Sequence, residues 1–182
     1  MIGALSYIVQ AFTSLYLFVL LLRFWLPWLR ADFRNPIAQA ILRLTSPLVV
    51  PVRRVVPPIG RLDTATVLIA FAIQYALILV LLALLSFPAS ILLIAISAVI
   101  DLALLSIQLF MFAMILWIIL SWVAPHNYNP ATVLLGTLAQ PILRPFRRLI
   151  PPLGTIDISP VVPLILMGAL IRLVLSFRPL PF

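Results

Sequence analysis

Two stretches of this sequence carry side chains able to grip an anion. Each holds an Arg-Arg pair, Arg53-Arg54 and Arg147-Arg148. Pro-Pro, a glycine and an aspartate follow each pair: Gly60 and Asp63 in the first stretch, Gly154 and Asp157 in the second. A guanidinium presents a planar fork of N–H donors that matches phosphate or carboxylate bidentately. The pairs therefore point to an anionic headgroup or an acidic partner. They also have a topological reading: arginines at a membrane rim hold a loop on the cytoplasmic side and touch phosphates at roughly 1 kcal/mol each. Asp63 and Asp157 stand just ahead of apolar runs, where a carboxylate accepts from the free N–H groups of a helix start. Salt bridges from Asp63 to Arg53 or Arg54, and from Asp157 to Arg147 or Arg148, are compatible with that cap. Gly60 and Gly154 would supply the positive-φ turn that folds each stretch back on itself.

A second set of polar residues lies inside apolar runs. Asp101 and Arg172 are expected at similar depth on neighbouring helices and are predicted to pair, because either charge alone in a bilayer is costly. Ser97, Asp101 and Gln108 share one helical face, as do Gln10, Thr13 and Ser14. Such stripes either line a polar path or hydrogen-bond between helices. Arg23 sits near the end of its apolar run and is expected to snorkel to the rim. No catalytic constellation is evident. His126 is a lone loop histidine, cysteine is absent, and the five glycines form no phosphate-cradling loop. No metal site, cofactor or nucleic-acid partner is expected.

The elements that must position these residues follow from composition. Of 182 residues, 65% are hydrophobic and 9% charged, too little polar surface to coat a soluble fold. The expected fold is an all-α membrane protein with four transmembrane helices, at 2–27, 64–87, 91–123 and 159–177; roughly 20 residues cross a bilayer, and the third run exceeds a span, its excess read as tilt or as an interfacial outer end. The basic side chains are all arginine and fall mainly in the connectors 28–63 and 124–158, whereas the turn near Phe87 has none. By the positive-inside rule both connectors are cytoplasmic and both termini outside. Trp25, Trp28, Trp117 and Trp122 flank the same ends, as an aromatic belt does. Each connector opens with Asn-Pro. A short interfacial helix is expected next, at 37–44 and 131–138, stopped by Pro47 or Pro141 and followed by extended chain.

A shift of 94 positions superimposes Trp28 on Trp122, Asn35-Pro36 on Asn129-Pro130, Pro57-Pro58 on Pro151-Pro152 and Asp63 on Asp157. The chain is thus read as two copies of one unit, 1–87 and 88–182, each a helix, a basic proline-rich connector and a helix. Two spans per unit make this a parallel repeat.

The doubled pattern Pro-x-x-x-Pro-x-Arg-Arg-x-x-Pro-Pro-x-Gly-x-x-Asp, with Asn-Pro ahead of it, resembles the YggT family of small bacterial membrane proteins. Leu21-Leu22-Arg23 and Asp157-Ile158-Ser159-Pro160 belong to the resemblance, although the first copy reads Asp63-Thr64-Ala65-Thr66 without Ser-Pro. The resemblance implies a link to plastid and cyanobacterial proteins of cytochrome maturation, membrane or nucleoid organisation and division, and to osmotic tolerance. It brings no agreed activity and no haem-ligand spacing. Two readings stay open. One is a non-enzymatic membrane organiser or assembly factor whose arginine connectors contact anionic lipid, or another membrane or cytoplasmic protein. The other is an ion or small-solute pathway, or its regulator, through the Asp101, Gln108 and Arg172 region. A homo-oligomer is compatible with both.

Overall fold

The computed structural model describes residues 2–60, 62–123, 129–149 and 159–180. Arg61, His126, Gly154 and Asp157 lie outside the described residues. The described chain is helical: α1 Ile2–Trp28, α2 Pro36–Arg53, α3 Thr64–Leu85, α4 Ile91–Val123, α5 Pro130–Leu149 and α6 Val161–Ser176. Three of these are long and apolar enough to cross a membrane, Gly3–Trp28, Thr64–Leu85 and Ile91–Ser121. They are apolar all round, which suits a helix surrounded by other helices and lipid. Helix α6 is apolar but shorter, with 16 residues.

Local chemistry sets the ends. Helix α1 stops where Arg30 adopts a positive φ of 54° and the Ala31 N–H bonds back to the Leu26 carbonyl. Ser86 does the same for α3 at φ 52°, with the Phe87 N–H on the Leu82 carbonyl. Both are left-handed caps that satisfy otherwise orphaned carbonyls.

The connectors differ from the sequence expectation. Helix does not stop at Pro47 or Pro141 but runs through Pro47 and Pro51 in α2, and through Pro141 and Pro145 in α5. The two prolines of each helix are four residues apart and exposed. Their missing N–H groups therefore bare carbonyls on one outward side, where water or headgroups can bond them. The opposite side of α2 buries Ala38, Ile41, Thr45 and Val49, at helical spacing. That buried stripe holds the helix together past its prolines.

Helix α1 packs along α3, α3 along α4, and α4 along α6, with α1 also touching α4. Leu17, Leu20, Val49, Ala65, Ile69 and Ala70 form one buried cluster, where α1, α2 and α3 meet. Leu21, Leu109, Ala113 and Leu138 form another between α1, α4 and α5. Helices α2 and α5 lie together at one end of the bundle. Leu134 joins Leu26, Ala31, Ala38 and Ile41 there, and the Asn35 side chain, which caps α2, donates to the Pro130 carbonyl at 2.7 Å.

Close packing also fixes α5 against α4. A Cβ added at Gly136 would sit 3.1 Å from the Trp117 indole nitrogen, whereas one at Gly168 would meet nothing within 4 Å. Gly136→Leu should therefore cost about 1–3 kcal/mol of stability through overpacking. A lowered thermal midpoint checks it, with Gly168→Leu unaffected.

Candidate functional site

The first Arg-Arg pair sits where α2 ends, and its two members face different ways. Past Arg54 the chain turns tightly: Ile59 and Leu62 exchange backbone hydrogen bonds around Gly60, whose φ is +59°. The Thr64 hydroxyl donates to the Pro57 carbonyl at 2.7 Å. This reversal carries Asp63 back beneath the end of α2. There Asp63 caps α3, accepting from the Thr66 N–H at 3.4 Å and from the Thr66 hydroxyl at 2.7 Å. Arg53 donates to the same carboxylate through Nη2 at 2.5 Å. Arg54 is exposed and makes no ion pair among the described residues.

A third cation completes the cluster. Arg23 Nε lies 3.6 Å from Asp63 Oδ2, an ionic contact just beyond hydrogen-bond reach. Its Nη1 donates to the Thr45 and Ser46 hydroxyls at 2.8 and 3.2 Å. The Arg23 and Asp63 side chains are only 5% and 8% exposed, against 42% for Arg53. The expectation that Arg23 snorkels to the rim is thus corrected: it turns inward, because α2 packs hydroxyls against α1 at that level and α3 begins with a carboxylate. The cluster ties α1, α2 and α3 together.

Burial alone would push the Asp63 carboxyl up. The bonds from Thr66 and Arg53, together with the Arg53 charge, outweigh it and hold the group below the usual carboxylate range. A depressed folded-state value means that this stabilisation is complete above the ordinary aspartate pKa of about 3.9 and is lost as pH falls through the lower folded value. Stability should therefore decline on acidification below about pH 4. Asp63→Asn should flatten that decline, as read from unfolding midpoints against pH.

The second pair, at the end of α5, is built differently. Arg147 lies over the Trp117 ring, 4.9 Å from its centroid, a cation–π contact. Arg148 is exposed, as are Arg43 and Arg144. At the 94-residue offset Trp117 occupies the place of Arg23. One elbow is therefore anchored by a buried ionic cluster and the other by an aromatic face. In both, the first arginine turns toward its own helices and the second faces outward.

At the opposite end of the bundle the predicted partner of Asp101 is also corrected. Arg172 is exposed on α6. It is Arg178 that forks onto Asp101, Nε 2.9 Å from Oδ1 and Nη2 3.0 Å from Oδ2. The cause is Leu180, which is buried among Ile78, Leu82, Ile94 and Ala98 and lays the chain after α6 across the ends of α3 and α4. Gln74 of α3 also reaches Asp101, donating through Nε2 at 2.8 Å. Gln108 is exposed and faces a cavity of about 370 Å³ with a mixed wall, polar where Asp101, Gln74 and Arg178 line it and otherwise largely leucine. Ser97 is buried outside that lining. Among the described residues no three metal-ligating side chains lie together.

The chain is similar to known proteins along most of its length. The sequence profile of the CCB3/YggT family matches residues 2–87 and again 89–178. The uncharacterized protein PA0392 of Pseudomonas aeruginosa is 41% identical over 160 residues, covering 87% of this chain and 81% of its own. The uncharacterized protein YggT of Escherichia coli K12 is 34% identical over 166 residues, covering 91% and 86%. A Haemophilus influenzae relative is 34% identical over 145 residues, covering 79% and 76%. No solved structure matches. With the profile matched in both halves, the chain belongs to the CCB3/YggT family.

Proposed function

We propose that the chain is a four-crossing protein of the bacterial inner membrane, made of two parallel repeats. In this reading it is a scaffold that holds anionic lipid against two interfacial helices on the cytoplasmic side. The observation that carries the reading is the pairing of α2 and α5. Both bury an apolar stripe, and they lie together at one end of the bundle. Arg43, Arg54, Arg144 and Arg148 are exposed and make no ion pair among the described residues. Long amphipathic helices with basic outer faces suit the headgroup layer. In this reading α6 is the fourth crossing. At one end it packs through Leu164 and Met167 near Leu143 of α5, and the chain after it reaches Ile94 and Ala98 near the start of α4.

A route for ions or solutes has less support. The cavity reaches no deeper than Ser14, Gln74 and Gln108. On its connector side lie the buried apolar residues Leu17, Leu20, Leu21, Ala70 and Leu109.

The test uses the tryptophans of the connector end, among which Trp28 is 43% exposed. In vesicles of mixed composition, brominated phosphatidylglycerol should quench tryptophan fluorescence more than brominated phosphatidylcholine at equal mole fraction. Equal quenching would count against the proposal.

A further inference from the structure

The cavity at the end away from the connectors has a use that the lipid scaffold does not absorb. Gln74 is 5% exposed, and while its Nε2 serves Asp101, its Oε1 is enclosed with no hydrogen-bond partner. Gln10, Ser14 and Gln108 line the same cavity and make no hydrogen bond among the described residues. An enclosed amide oxygen without a partner costs about 1–3 kcal/mol. Gln10, Ser14 and Gln108 stand more open on the cavity and are the groups that an occupant can reach.

Charge and valence narrow what that is. Asp101 is neutralised by Arg178, and the carboxamides and hydroxyl around them carry no charge. A net ion entering would be desolvated with nothing left to balance it. Carboxamides and hydroxyls both donate and accept, so the fitting occupant is neutral and offers donors and acceptors at close spacing. A volume of about 370 Å³ falls in the range of about 300–1,000 Å³ usual for small-molecule sites. We propose that this cavity, whose polar wall is Gln10, Ser14, Gln74, Asp101, Gln108 and Arg178 and whose remaining wall is largely leucine, is a binding site for a small polyhydroxyl molecule. The apolar layer beneath it makes it a dead-end site. The site is independent of the lipid-scaffold reading, since the two sets of residues lie at opposite ends of the helices.

The chain has no cysteine, so Ala11→Cys, at an exposed position lining the cavity, gives a single reporter thiol without removing a polar group. The protein is held in phospholipid nanodiscs free of sugar detergents, and the rate of reaction with a small uncharged maleimide is followed. Sorbitol at roughly 100 mM should slow labelling about threefold, as a site of about 50 mM affinity would when two-thirds filled. Potassium chloride and potassium succinate at the same concentration should leave the rate unchanged. Adding Gln10→Leu and Gln108→Leu should abolish the protection while the fold is kept, since neither side chain bonds to the protein. Equal slowing in the leucine variants would show general cosolute exclusion, and slowing by either salt would show an ion site. Either result, or no slowing by sorbitol, would overturn the proposal.

Discussion

Asp63→Ala should lower stability by about 3–5 kcal/mol, the usual consequence of removing one partner from a buried ion pair. The substitution strands Arg23, whose side chain is 5% exposed, and takes the cap from α3. The cap alone is worth only about 0.5–2 kcal/mol, so the excess reports the buried charge. Arg53→Gln should cost no more than about 1 kcal/mol, because Arg53 is 42% exposed and its attraction to Asp63 is largely screened. Replacing Arg23 and Asp63 together, by Met and Asn, should recover much of the loss, since no unpaired buried charge then remains. Thermal unfolding in mixed micelles separates the three. If Asp63→Ala were no worse than Arg53→Gln, the cluster would not be what fastens α1, α2 and α3.

The second large effect concerns lipid. Changing Arg43, Arg54, Arg144 and Arg148 to Gln should remove about 1 kcal/mol of attraction to an anionic surface per residue. Together this is about 4 kcal/mol, or roughly a thousandfold in preference. The excess quenching by brominated phosphatidylglycerol should then vanish, with the unfolding midpoint hardly moved because none of the four makes an ion pair among the described residues. Arg53→Gln and Arg147→Gln, by contrast, should leave most of the lipid preference intact, since these guanidinia are engaged by Asp63 and Trp117. Salt should weaken the wild-type preference, as expected for exposed charge.

Much of this architecture is legible in residue type and spacing. The apolar runs mark α1, α3, α4 and α6 because a helix satisfies its own backbone groups and needs only an apolar surface. Asp63 at the head of α3 and Gly60 at positive φ are local features, decided within a few residues. The connector helices were harder to read. Proline argues against helix through one lost N–H, but Ala38, Ile41, Thr45 and Val49 repeat at helical spacing, and their burial outweighs the lost bonds. Tertiary partners were not legible. Arg23 finds Thr45 and Ser46 only because α2 folds against α1. Arg178 reaches Asp101 because Leu180 is buried beyond it, and nothing in the spacing around Arg172 announces that. Gln74 lies in an apolar run, and its position relative to Asp101 appears only when α3 and α4 are packed together.

The account rests on both arginine elbows facing one side of the membrane. Single-cysteine variants Arg54→Cys and Arg148→Cys, in a chain otherwise free of thiols, can be exposed to a membrane-impermeant maleimide in intact spheroplasts and in inverted vesicles. Both thiols should react in inverted vesicles and neither in spheroplasts. Reaction of one from each side would contradict the parallel arrangement and with it the paired cytoplasmic surface.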